Sequence, residues 1–289
     1  MTPAAGISLP IPPGRVCVFV IGCQRSGTTL AGQILGAHPR AMLIDETDRL
    51  YRWAGDPGPG GQTGAPAERG DFTGLLTRAA AKYTTPETRF ENGNLAETVT
   101  HLVFQAPNLT WFPGLIGGLA NPVHVVAMVR DPRAVAASMA RLGVPMVRNQ
   151  IRWLRAAGLA ADFAADLALL EAGDVAAHIK HAVIWRLKTA MADRFAALGL
   201  ACHRLRYEAL VAESGVRIAA LARDLGLPPS DRMLAHHTVL RGRGPGRTQR
   251  GRAVDRGSLQ GWQAHLPPEA AAETLTAAGP LARAHGYVA

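Results

Sequence analysis

Val16-Cys17-Val18-Phe19-Val20-Ile21 is apolar at every position and runs straight into Gly22-Cys23-Gln24-Arg25-Ser26-Gly27-Thr28-Thr29. Continuous rather than alternating apolarity means that both faces of the strand are covered, as in the centre of a parallel sheet. The glycine-bearing loop then opens a helix expected over residues 28–37, so strand, loop and helix form one unit. At such a junction backbone N–H groups converge on an anion, and the helix dipole adds about +0.5 charge at the same point. This stretch alone implies an α/β fold with an anion site at the carboxyl end of a buried strand.

The loop departs from the pattern that holds nucleoside triphosphates. GxxxxGK[ST] needs Lys after its second Gly to reach the β- and γ-phosphates. Here that place is Thr28, and the basic residue, Arg25, sits inside the loop. A ligand with a single phosphate at this end and a transferable group near Arg25 fits better than ATP. Thr28 and Thr29 add hydroxyl donors.

The remaining pattern extends the sheet. Ala41–Ile44 and His101–Gln105 read as strands, and Pro122–Val129 is a second strongly apolar one; Cys202–Leu205 is the last. Helical patterns fall between them, over 71–83, 108–119, from Pro132 onward, 174–197, 207–213 and 215–225, with further helical stretches after Ser258 and Pro268. Strands alternating with helices give a P-loop-like parallel β-sheet flanked by helices on both faces. The 289 residues read as one domain with a lead-in at 1–14, a helical lobe over 145–197 beside the sheet, and a basic loop at 241–257. Residues 55–70 are a surface loop dense in Gly and Pro.

Charge narrows the partners. The chain has a formal charge of +9, and residues 241–256 hold six Arg against one Asp, a net of five positive charges in one Gly-rich stretch. A duplex-binding protein usually spreads such charge across a face, and a single-strand binder interleaves aromatics for stacking. This segment does neither, so a small anionic ligand is expected and no nucleic acid. The three cysteines have no CxxC spacing, which speaks against a disulfide framework or zinc site. No secretory leader pattern is present and no apolar run approaches ~18 residues, so no integral membrane segment and a cytoplasmic location are expected.

A second motif lies where the strand ending at Val129 meets Arg130-Asp131-Pro132-Arg133. Asp131 is placed to cap the following helix, and Pro132 stands at the first helical position, where its missing N–H costs nothing. Arg130 falls at the carboxyl end of a parallel strand, the edge at which α/β sheets bind ligands. Ser138 lies two turns into the helix, able to supply a hydroxyl to the same group or simply to pack.

Together, residues 22–29 and 130–138 resemble the 5′-phosphosulfate loop and the 3′-phosphate motif of sulfotransferases that use 3′-phosphoadenosine 5′-phosphosulfate (PAPS). Ala37-His38-Pro39 with Asp45-Glu46-Thr47 is similar to a stretch of that family's tyrosylprotein branch. Trp185, Leu205-Arg206-Tyr207-Glu208-Ala209-Leu210-Val211 and Trp262 are similar to segments of its bacterial members. The resemblance spans roughly residues 15–270. It implies that Ser26, Gly27, Thr28 and Thr29 hold the 5′-phosphate and Arg130 and Ser138 the 3′-phosphate. Tyr207 would lie near the nucleotide, and Arg252 or a neighbour would close over it. Sulfuryl transfer needs a base for the acceptor proton and a cation to offset charge on the oxygens. Glu46 is the candidate base and Arg25 the candidate charge stabiliser; His38 is the competing base.

Three positions depart from the family pattern. Gln105-Ala106-Pro107 stands where many relatives carry a Lys-containing triplet, Gln24 where Pro is common, and Asp48 where Arg follows the Glu-Glu-Thr triplet. Gln105 donates a hydrogen bond but carries no charge. The resemblance implies PAPS as donor and no metal, in keeping with scattered histidines. His178 and His181, at i,i+3 spacing, have no acidic partner at ligand spacing. The acceptor class is open among carbohydrate, lipid-linked and small-molecule hydroxyls. Two other readings stand beside this one. A P-loop phosphotransferase is opposed by Thr28 and by the lack of a clear Asp for Mg²⁺; a nucleic-acid binder would use the Arg-rich segment.

Overall fold

The apolar run before the loop is β1 (Val16–Gly22), and α1 (Thr28–Gly36) and β2 (Ala41–Ile44) follow it. The computed structural model describes residues 14–44, 90–91, 94–95, 97–239 and 248–288. A short antiparallel pair, β3 (Phe90–Glu91) and β4 (Asn94–Leu95), precedes β5 (His101–Gln105). Next come a 3₁₀ turn over Pro107–Trp111, α2 (Pro113–Gly117), β6 (Val123–Val129) and α3 (Pro132–Ala140). Helices α4 (Met146–Ala156), α5 (Ala164–Glu171) and α6 (Ala177–Ala197) lead to β7 (Ala201–Arg206). The chain continues through α7 (Tyr207–Ala212), α8 (Ser214–Asp224), α9 (Asp231–Leu234) and α10 (His236–Val239). Beyond a 3₁₀ turn at Arg256–Ser258 it ends in α11 (Pro268–Ala284).

Five strands pair in parallel, in the order β2-β5-β1-β6-β7. Alternate residues of β1 serve opposite layers, as the period of a strand requires. Cys17, Phe19 and Ile21 pack with Phe104, Val125, Val129 and the buried sides of α3, α6 and α11. Val18 and Val20 pack with Val126, Met128 and Leu205 against α1, α7 and α8. Phe19 and Phe104 are both fully buried and stack with ring centroids 5.0 Å apart. Truncating either to Ala would cost about 3–5 kcal/mol.

The strand order also fixes where a ligand belongs. From β1 the chain leads to the β2 edge, whereas from β6 it leads to the β7 edge. Neighbouring strands whose connections depart in opposite directions leave a crevice at their carboxyl ends. The loop after β1 and Arg130 after β6 are the two lips of that crevice.

Two expectations are adjusted and a third goes untested. The expected lobe over 145–197 is divided, because α6 lies against the sheet with Ile184, Trp185 and Phe195 in the core, while α4 and α5 flank it. Its central turns are buried nearly all round, between the sheet, α3 and α11. After Ser258 the chain forms turns rather than a helix until Pro268. The helix expected over 71–83 lies outside the described residues.

Candidate functional site

The loop after β1 is shaped by close approaches. Gly22 has φ 131°, and a Cβ there would lie 2.5 Å from the Met128 carbonyl oxygen of β6. Gly27 has φ 91°, and its Cβ would lie 2.4 Å from Cδ2 of Tyr207. Between them Arg25 adopts φ 71°, the only non-glycine residue with positive φ among those described. Such a conformation costs about 1–3 kcal/mol and persists only where the surroundings hold it. The Ser26 amide closes the turn onto the Cys23 carbonyl at 3.1 Å, and the Gly27 carbonyl accepts from Ala31 at 3.0 Å. The amides of Gly27, Thr28 and Thr29 meet no backbone carbonyl among the described residues. They are the unsatisfied donors of a helix start, where an anion is favoured.

Arg130 connects this loop to the rest of the site. Its Nη1 donates to the Arg25 carbonyl at 3.1 Å and its Nη2 to the Ser258 carbonyl at 2.8 Å. Its guanidinium lies 4.2 Å from the centre of the Tyr207 ring, and its own carbonyl accepts from Trp185 Nε1 at 2.8 Å. The Tyr207 hydroxyl meets Ser258 Oγ at 2.8 Å. Glu208 accepts from the Asp131 amide at 2.9 Å and from the Tyr287 hydroxyl at 2.8 Å. Burial, reinforced by Glu208, pushes the Tyr287 phenol well above its ordinary pKa. Asp131 caps α3 by accepting from the Arg133 amide at 2.8 Å.

These groups surround one cavity of about 360 Å³, within the range of small-molecule sites. Arg25, Gly27, Thr28 and Thr29 line one side, Arg130 and Tyr207 the base, and Thr248, Arg252, Asp255 and Ser258 the other. Arg252 is paired with Asp255, whose carboxyl is held below its usual range chiefly by the Gly257 amide and then by Arg252.

Seven of the ten expected site residues therefore line one cavity. Ser138 stands just behind it, with its Oγ accepting from Arg25 Nε at 2.9 Å. Ser26 is fully buried beneath the loop, and its Oγ has no hydrogen-bond partner among the described residues. Glu46 lies outside the described residues. His38 is spoken for: its Nδ1 accepts from the Arg40 amide and its Nε2 donates to the Pro228 carbonyl, both at 2.9 Å. With both ring nitrogens engaged and the ring 3% exposed, His38 is a structural residue rather than a base. His178 pairs with Glu273 at 2.6 Å, and no group of three metal-ligating side chains occurs among the described residues. Burial pushes the Cys23 thiol up to about 12, so it is no nucleophile.

Four further residues hold the site together; Gln105 and Glu208 stand in motifs the sequence already singles out, whereas Ser258 and Lys188 escape it. Gln105 Nε2 donates to Thr28 Oγ1 at 3.2 Å, fixing the hydroxyl at the start of α1. Ser258 and Glu208 tie the base together, and Lys188 on α6 reaches Gln24 in the loop at 2.9 Å. Ser258 and Lys188 carry no local signal, because the residues they meet are distant in the chain.

A family profile described as "Sulfotransferase family" matches residues 17–231. Among solved structures, the sulfotransferase domain from the Synechococcus PCC 7002 olefin synthase is similar at a TM-score of 0.55 and 16% identity, with 94% of this chain and 97% of that one covered. The sulfotransferase domain from the curacin biosynthetic pathway gives a TM-score of 0.56 at 16% identity, covering 96% of this chain and 99% of that one. At such identity the likeness is one of fold. No curated protein sequence matches the chain. No helix among the described residues is long and apolar enough to cross a membrane.

Proposed function

The chain belongs to the sulfotransferase family, and from that premise we propose that it moves a sulfuryl group from PAPS to an acceptor hydroxyl of a carbohydrate, lipid-linked or small molecule. The observation that carries the reading is Arg130, whose guanidinium bonds both to the phosphate-type loop and to the Arg252-bearing wall of one cavity. A donor with phosphates at two ends calls for two sets of cationic and amide contacts in one space. The residues present suit such a ligand. Arg130 Nε is buried without a partner among the described residues, and the side-chain-free Gly27 leaves the loop backbone open to the cavity.

In this reading the Gly27, Thr28 and Thr29 amides, with Ser26 supporting the turn, bind the 5′-phosphate. Arg130 binds the 3′-phosphate. Ser138 accepts from Arg25 and keeps its own O–H for the same phosphate. Tyr207 packs beside the nucleotide and Arg252 exchanges Asp255 for it. The donor supplies the sulfuryl group that is transferred in line. Glu46 takes the acceptor proton as the new S–O bond forms, and Arg25, oriented by Ser138, offsets the charge left on the bridging oxygen as the old bond breaks. No metal is required, since arginines and amides neutralise the donor.

The test is a thermal-shift titration with adenosine 3′,5′-bisphosphate, ADP and ATP. Stabilisation by the bisphosphate above both others supports the donor. Preference for ATP would replace sulfuryl transfer with phosphoryl transfer.

A further inference from the structure

We infer that Lys188 is a positioning residue for the anion loop and acts through Gln24; the inference rests on the reading of that loop as the donor's phosphate site. Lys188 is 1% exposed, among the largest fully buried side chains of the described residues. A buried ammonium is costly unless it is hydrogen-bonded, and an apolar side chain of similar length is often at least as favourable in such a place. Its Nζ donates to Gln24 Oε1 at 2.9 Å and lies 5.5 Å from the centre of the Trp111 ring.

The other end of Gln24 is fixed as well. Its side-chain amide donates to Asn108 Oδ1, which also accepts from Gln150 Nε2 at 3.3 Å. Gln150 Oε1 in turn accepts from Trp111 Nε1 at 3.0 Å. Gln24 is thus clamped between α6 and the 3₁₀ turn after β5. It immediately precedes Arg25, whose φ of 71° is unfavourable for a side-chain-bearing residue. Arg130 and Ser138 hold Arg25 from the β6 and α3 side. Lys188, through Gln24, holds the loop from the α6 side, so the strained backbone is gripped from both.

Hydrogen–deuterium exchange of the full chain without ligand tests this, read at the loop amide of Ser26, which is bonded to the Cys23 carbonyl, and at the amides of β6. Lys188→Met and Gln24→Leu should each speed loop exchange about tenfold and leave β6 unchanged. The double variant should add little to either single one, because both remove the same tether. Unchanged loop exchange, or additive single effects, overturns the inference. Should Lys188→Met fail to fold, loop exchange in Gln24→Leu decides alone. Adenosine 3′,5′-bisphosphate affinity is the second readout, with about a tenfold loss expected in each variant at unchanged stability of β6. A wild-type chain that ignores the bisphosphate would remove the donor reading, while the exchange experiment would still decide the tether.

Discussion

The loop at residues 22–29 and the segment at 248–258 face each other across the same cavity, yet they are held by opposite means. The loop is anchored from below: Cys23 and Ser26 are fully buried, Thr28 is 4% exposed, and side chains from β5, α3 and α6 grip it. The segment is mostly exposed and is fastened at Ser258, by Arg130 and Tyr207, and at Arg256, which donates to the Ala212 carbonyl at 2.8 Å. Its cationic contribution, Arg252, is spent on a neighbouring exposed carboxylate. Pre-organised amides present charge at no further cost when the ligand arrives. An exposed ion pair adds little and changes partner readily. In the proposed reading, therefore, the loop sets position and the segment closes over what has been positioned.

That contrast orders the substitutions. Gly27→Val should be the most damaging, since it puts a β-branched residue at positive φ and drives a side chain into Tyr207. We expect bisphosphate affinity to fall about 100-fold or more by calorimetry; a loss under tenfold would mean that the loop is not rigid. Arg130→Ala removes both carbonyl contacts and the stacking on Tyr207, with an expected loss of about 30-fold. Arg130→Lys should not restore it, because an ammonium cannot serve two directions as a planar fork does. If Lys rescues, charge alone is what matters there.

On the other wall the effects shrink. Ser258→Ala and Tyr207→Phe should each weaken binding about fivefold, and the pair together no more than one alone. Additive losses would show that the two residues act separately. Arg252→Ala should cost only about two- to threefold at low salt and nothing measurable at high salt. A large, salt-resistant loss would move Arg252 into the rigid half of the site.

Acidification probes the anchored side in a different way. Burial lowers the pKa of His38 and of His101 from 6.5, so below that value the unfolded chain takes up protons that the folded chain refuses. Their contribution to stability is complete above pH 6.5 and is lost as pH falls through it toward the depressed folded values. Tm should decline between about pH 7 and pH 5, and His38→Gln should flatten part of the decline. A Tm independent of pH over that range contradicts the assignment of His38 as a buried neutral group.

The sequence made the rigid half of the site largely legible. A wholly apolar strand, glycines at fixed spacing and an Asp-Pro helix start each have local causes, so the positions of Gly22, Gly27, Arg130 and Asp131 followed from neighbours in the chain. What escaped is non-local. Ser258 meets Tyr207 across 51 positions and Lys188 meets Gln24 across 164, and no periodicity encodes such meetings. His38 looked available because its partner, the Pro228 carbonyl, comes from 190 residues away. The displacement of α6 from lobe to core has the same origin: an all-round buried helix and a surface one differ in what packs on them, which local pattern does not state.

In the proposed function one nucleotide bridges the amides after β1 and the guanidinium of Arg130. Phosphorus NMR of adenosine 3′,5′-bisphosphate, titrated with the wild-type chain and with Arg130→Ala, reads the two ends separately. Both resonances should shift with the wild type, and the variant should lose the 3′ shift while keeping a weakened 5′ shift. A wild type that moves only one resonance, or a variant that loses the 5′ shift alone, would contradict that bridge.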